Sequence, residues 1–164
     1  MKLWLSIFSY AGLDSHTFDA LRGELEYARE KKVKINVEHV RDDALISRSR
    51  SRALTNFLRS DCDVCFMVDR DIQWETGAII QTADRANEKK ALVGGIYSAR
   101  AKGKGIAGRL KEEAVRIVPG ADKFHEAEFL ATGFLAIPRV VAEEVLQAGQ
   151  FAATRLDTWP SSAT

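Results

Sequence analysis

The chain is poor in cysteine, proline and methionine, with two, three and two of them in 164 residues, and its formal net charge is only +1. Each shortage excludes something. Two thiols, Cys62 and Cys65 in "DCDVC", cannot close a structural zinc site, which takes four ligands. They do not suit a redox pair either, because such pairs open a helix after a strand and these begin a strand. They read as two ordinary packed thiols. A charge near zero removes any global pull toward nucleic acid or an anionic membrane. No apolar run approaches the ~20 residues that span a bilayer. The start, "MKLWLSIFSYAGLD", lacks the apolar core and cleavage site of a secretory signal. The expectation is a cytoplasmic protein without a membrane span. Hydrophobic residues at 46% and charged residues at 29% fit one ordered domain with a real core.

What is present is an alternation of strands and helices. "KLWLSIFS" (2–9) is an apolar strand, and "YAGLDSH" after it is turn-like, with Asp14 or Ser15 as the helix cap. Phe18, Leu21, Leu25 and Ala28 recur at helical spacing. "VKINVEHV" (33–40) alternates and is rich in β-branched residues, predicting a second strand. Ile46, Ala53, Leu54, Phe57 and Leu58 mark one face of a second helix. "DVCFMV" (63–68) is apolar throughout, as a strand covered on both faces is. A helix from Glu75 to Lys90 and a strand "ALVGGIY" (91–97) follow. This order predicts an α/β protein, a three-layer α/β/α sandwich around a mainly parallel sheet. After residue 97 the pattern breaks. "SARAKGKGIAGRLKEE" reads as a basic, glycine-rich loop, "AVRIV" and "AEFLATGFLAIP" as short strands, and "RVVAEEVLQAG" as a helix. One domain over 1–150 and an irregular tail over 151–164 are expected.

The third strand runs straight into two acids, Asp69 and Asp71, spaced i, i+2. Ligands of open α/β sheets bind beyond the carboxyl ends of the strands. Two carboxylates there can converge on one cation, and all-oxygen sites suit Mg²⁺ or Mn²⁺, which keep waters and take substrate phosphates as well. The plain alternative is that the acids cap the next helix.

Four segments, in order, carry a resemblance. "FMVDRDIQWET" resembles the strand, D-x-D, aromatic and helix start of nucleotide-sugar glycosyltransferases with the GT-A fold, in particular a family-2-like bacterial and phage group. "ALISRSRSRALTNFLRS" resembles the helix before that motif, "ALVGGIYSAR" the strand after it, and "EFLATGFLAIPR" the Thr-Gly-Phe strand near the acceptor. Together they extend over residues 3 to 147.

The resemblance implies transfer of a sugar from a UDP- or GDP-linked donor to an acceptor hydroxyl. A Mn²⁺ or Mg²⁺ ion would sit on Asp69 and Asp71 and offset the charge of the leaving nucleoside diphosphate. The nucleotide would lie against Ser9, Tyr10 and Gly12, with Asp43 and Asp69 accepting from base or ribose. Arg48, ahead of Arg50, would donate to the diphosphate, for which a guanidinium fork is suited. Trp74, Gly94, Gly95, Thr132 and Gly133 fall on the sugar and acceptor side. His125, Glu126 and Glu128 are the candidates for a general base. Beside these stand plainer readings: a solvated helix face for the arginines, core packing for Trp74, and exposed turn positions for His125, Glu126 and Glu128.

Two departures count. Arg70 occupies the middle of the motif, where the family has a small or neutral residue, and it can pair with a carboxylate or a phosphate. The family also continues past its Thr-Gly-Phe strand into a segment bearing an acidic base, whereas this sequence ends at Thr164. The expectation is therefore a truncated relative, and a non-catalytic nucleotide- or sugar-binding module is the alternative function. A nucleotidyltransferase is a weaker one, since "SYAGLDSH" is a poor match to a glycine-rich phosphate loop. The basic loop would serve as a lid over a diphosphate or as a solvated surface. It lacks the interleaved aromatics of a nucleic-acid surface. A homo-oligomer stays open.

Overall fold

The computed structural model describes residues 1–41, 43, 45–97, 107–111 and 124–148. Most of the basic loop, the strand expected in "AVRIV" and the tail 151–164 lie outside the described residues. In chain order the elements are β1 (Lys2–Ser9), α1 (Ser15–Glu30), β2 (Lys34–Arg41), α2 (Ile46–Arg59), β3 (Val64–Asp69), α3 (Ala78–Lys89), β4 (Val93–Gly94), β5 (Gly108–Leu110), β6 (Ala127–Leu130), β7 (Phe134–Pro138) and α4 (Arg139–Gln147).

The protein is α/β, with a mixed five-stranded sheet in the order β2-β1-β3-β7-β4. β1 pairs in parallel with β2 and with β3, as strands joined by helical crossovers do. β7 enters between β3 and β4 and runs antiparallel to both. β4 therefore points the same way as β3. The alternation through residue 97 accounts for the parallel strands; the antiparallel member comes from the later segment, where alternation had ended. β5 and β6 form a separate antiparallel ribbon.

Period-two side-chain alternation sends each strand's residues to two cores. Leu3, Leu5, Ile7, Val64, Phe66 and Val68 pack with Ile79, Ala83 and Ala86 of α3, and Leu21 of α1 joins them. Phe8, Cys65 and Met67 pack with Ala53, Leu54 and Phe57 of α2 and Ala142 of α4. Helices thus cover both faces, which is why β3 is apolar at every position from Val64 to Val68. Cys62 and Cys65 are free thiols buried in the second core, and burial pushes the Cys65 thiol well above its usual range.

Three local expectations change. The inward face of α1 keeps only half of the apolar stripe: Ala28 is buried and Leu21 packs on the core, but Phe18 is 56% exposed and Leu25 is exposed too, and the polar Thr17 and Glu24 are buried instead. The side chain of Asp14, the α1 cap residue, makes no capping bond and turns instead to Arg70. α3 begins at Ala78 rather than Glu75, because Gly77 takes a left-handed φ of 89° that no ordinary side chain adopts comfortably.

Candidate functional site

The carboxyl ends of β1, β2 and β3 open on a cleft of about 420 Å³. Phe8, Ser9 and Tyr10 line it from β1 and its turn, Asp43, Ile46 and Ser49 from the start of α2, and Asp69, Arg70 and Asp71 from β3. The parallel register sets this up: Phe8 lies opposite Asp69, and Ser9 opposite Arg41. Both acids of the D-x-D reach the same cleft. They do not take over the capping of α3, because the N–H groups of Gly77 and Ile80 donate to Glu24 at 2.8 and 3.1 Å.

Helix α1 holds the turn after β3 from behind. Arg70 donates to Asp14 at 2.8 Å, and the Asp14 N–H donates to the Arg70 carbonyl at 3.3 Å. The Thr17 hydroxyl lies 2.6 and 2.9 Å from the carbonyl oxygens of Arg70 and Ile72. Gly23 lets α1 come close: a β-carbon there would stand 2.7 Å from the Thr76 hydroxyl. Glu24 is fully buried, and burial pushes its carboxyl above the usual range. The N–H groups of Ile80 and Gly77 partly offset that shift. The expected aromatic of the motif, Trp74, packs on Phe134 with ring centres 6.0 Å apart. The middle residue Arg70, a departure from the family pattern, thus has a structural partner in Asp14.

On the other side of Asp69 stands Arg50. Its Nη2 donates to Asp69 Oδ1 at 2.7 Å, and its Nη1 donates to the Thr132 hydroxyl. Among the described residues its Nε is buried with no hydrogen-bond acceptor. The guanidinium lies over the Phe8 ring at 5.6 Å. Arg48, the arginine ranked first from sequence, makes a bidentate pair with Asp43 at 2.7 and 2.8 Å on the cleft rim. That pair holds the Asp43 carboxyl down at about 2.

The Thr-Gly-Phe turn closes the far side. Asp69 N–H donates to the Gly133 carbonyl at 3.0 Å, and Gly133 N–H donates to the Tyr97 hydroxyl at 2.9 Å. A β-carbon on Gly133 would lie 2.5 Å from the Tyr97 hydroxyl oxygen and 2.9 Å from Asp69 Oδ2. Glycine is what keeps that carboxylate oxygen clear. Gly95 approaches Phe134 as closely, and its N–H donates to the Phe134 carbonyl at 2.9 Å.

The remaining expected site residues fall into two groups. Ser9 contacts His39 Nε2 at 2.7 Å, Tyr10 stands 67% exposed at the cleft mouth, and Gly12 follows in the turn, with Gly94 in β4. His125, Glu126 and Glu128 are exposed on the β5–β6 ribbon and its approach and do not line the cleft. Glu126 pairs with Lys111 at 2.8 Å and Glu128 with Arg109 at 3.3 Å. Among the described residues no group of three or more His, Cys, Asp or Glu side chains is gathered for a metal. None of the described helices is long and apolar enough to cross a membrane.

No family model matches the chain, and no curated protein matches it. The fold is similar to that of A197 from STIV. The two structures superpose with a TM-score of 0.61 at 19% identity, over 88% of this chain and 68% of that one. At that identity the likeness speaks for the fold alone.

Proposed function

We propose that this chain is a GT-A-type, three-layer nucleotide-sugar-binding domain and that it acts as a metal-dependent glycosyltransferase. One observation carries the reading: Asp69 and Asp71 open into a single cleft at the carboxyl end of the sheet, and the helix-capping task that would explain them otherwise falls to Glu24. The donor set is two carboxylates with Asp69 Oδ2 kept clear by Gly133, which fits Mg²⁺ or Mn²⁺ completing its shell with water and phosphate oxygens. The ion would supply charge to the leaving nucleoside diphosphate. The chain's own residues do the rest. Tyr10 and Phe8 give the base an apolar wall, Ser9 and Asp43 offer polar contacts to base or ribose, and Arg48 and Arg50 bring positive charge near the diphosphate.

A second reading has its own support. The three candidates for a general base lie off the cleft, and two of them are held in exposed ion pairs. A domain that binds the nucleotide without its own base accounts for that placement. Titration calorimetry with UDP and GDP in the presence of Mn²⁺ tests what the readings share. Heat with one nucleotide, at micromolar to millimolar strength and removed by Asp71→Asn, is expected. Absence of heat with every nucleoside diphosphate would sink both. Donor hydrolysis with Mn²⁺ then separates enzyme from binding module.

A further inference from the structure

We infer that Arg50 is a built-in counter-ion that makes metal binding at Asp69 depend on the arrival of the diphosphate. This rests on the nucleotide reading of the cleft. Two bare carboxylates at i, i+2 would repel each other and attract a free divalent ion. Here one of them is already matched: the Arg50 guanidinium holds Asp69 Oδ1 at 2.7 Å, and the Thr132 hydroxyl anchors the same guanidinium from the Thr-Gly-Phe turn. The two other carboxylates named around this cleft, Asp14 and Asp43, also meet guanidiniums, those of Arg70 and Arg48. A free cation therefore meets a cleft whose negative charge is largely answered from within.

The geometry makes this pairing persistent. The Arg50 side chain is only 20% exposed, it lies over Phe8, and it is tied to two separate elements, β3 and the turn before β7. Its fork shape suits a carboxylate or a phosphate equally. Its buried Nε, without an acceptor among the described residues, shows that the pair with Asp69 does not exhaust its donors. A metal–diphosphate complex brings the anionic charge that a bare ion lacks. It offers phosphate oxygens to the guanidinium and a cation to Asp69, so both partners keep a counter-charge when the complex enters. A bare ion offers only the second and is repelled by the first.

The test is Mn²⁺ binding, followed by electron paramagnetic resonance of the free ion, with folding checked by circular dichroism. The wild type should bind Mn²⁺ alone weakly. Arg50→Gln should tighten Mn²⁺ alone about fivefold or more, the lower end of ordinary coupling between sites. Asp69→Asn added to Arg50→Gln should remove that gain. Should Arg50→Gln fail to fold, Arg50→Lys keeps the charge, loses the fork, and should give a smaller tightening. Unchanged Mn²⁺ affinity in the folded arginine variant overturns the inference, and so does a gain that survives Asp69→Asn. The nucleotide arm is separate. With UDP or GDP present, Mn²⁺ should bind the wild type more tightly, and this dependence should shrink in Arg50→Gln. A wild type that binds no nucleotide removes the function proposed for the cleft, while the nucleotide-free comparison still decides whether Arg50 guards Asp69.

Discussion

On one face of the sheet the N-terminus of α3 receives a carboxylate from α1; on the other, the C-terminus of α2 receives a guanidinium from α4. Glu24 accepts from the N–H groups of Gly77 and Ile80. Arg139 donates to the carbonyls of Phe57, Leu58, Ser60 and Cys62 at 2.8 to 3.2 Å. Each charge has the sign that the helix end favours, and each satisfies backbone groups that a helix leaves unpaired. The surroundings differ. Glu24 is wholly buried, whereas the Arg139 side chain is 27% exposed and stacks on Phe57. A carboxylate can be neutralised by a proton, and a guanidinium cannot. The face that carries the D-x-D turn is therefore the one whose staple responds to pH, and the opposite face is fixed.

That contrast can be broken. Glu24→Ala opens a buried space and strands N–H groups at the start of α3, so a loss of about 2–5 kcal/mol is expected in denaturant unfolding. Arg139→Ala removes a charged donor set in a partly wet place, and about 1.5–3 kcal/mol should go. Arg139→Lys should recover only part, since one ammonium cannot span four carbonyls. Equal losses for Glu24→Ala and Arg139→Ala would show that burial does not separate the two staples.

The pH response sharpens the comparison further. Burial raises the Glu24 carboxyl in the folded state above its ordinary 4.5. The folded protein then holds its proton more tightly than the unfolded chain does. Stability from this group is complete below 4.5 and declines as pH rises through the raised value. Glu24→Gln should flatten that slope whatever it does to the absolute stability, and Arg139 variants should leave the slope intact. The smallest effect belongs to Asp43. Its carboxyl is held at about 2, so its pair with Arg48 adds stability above 3.8 that is lost as pH falls toward 2. The pair sits on the rim, and about 0.2–1 kcal/mol is expected. Melting of Asp43→Asn against wild type at neutral pH and near pH 2 measures it; a gap that persists at the acid end would contradict the ion-pair account.

β1 and β3 were legible because burial on both faces writes itself as unbroken apolar runs, and VCFMV of β3 is the clearest, whereas the strand expected over 91–97 is only Val93–Gly94. That Asp69 and Asp71 stand at the carboxyl end of the sheet was legible because they close such a run. The inner face of α1 was not. Its buried positions include Thr17 and Glu24, polar residues that serve the turn after β3, while Phe18 and Leu25 face outward. Hydrophobic periodicity reports which side chains prefer burial, not which polar groups a neighbouring loop requires. Arg48 and Arg50 are alike in composition, and only the path of the backbone decides that one meets Asp43 and the other Asp69. β7 was read as a strand, but its direction and its place inside the sheet depend on contacts far along the chain.

That placement has a consequence for assembly. β7 pairs with β3 from Val64↔Pro138 to Val68↔Phe134 and, among the described residues, is the only neighbour β4 has in the sheet. The middle of the sheet is thus completed last as the chain is made. Until residues 134–138 arrive, β3 carries an open edge of apolar residues and β4 has nothing to pair with. Pairing over so long a separation is slow, and open edges invite association with other chains. A chain halted before Phe134 should accumulate in aggregates rather than as a smaller folded domain.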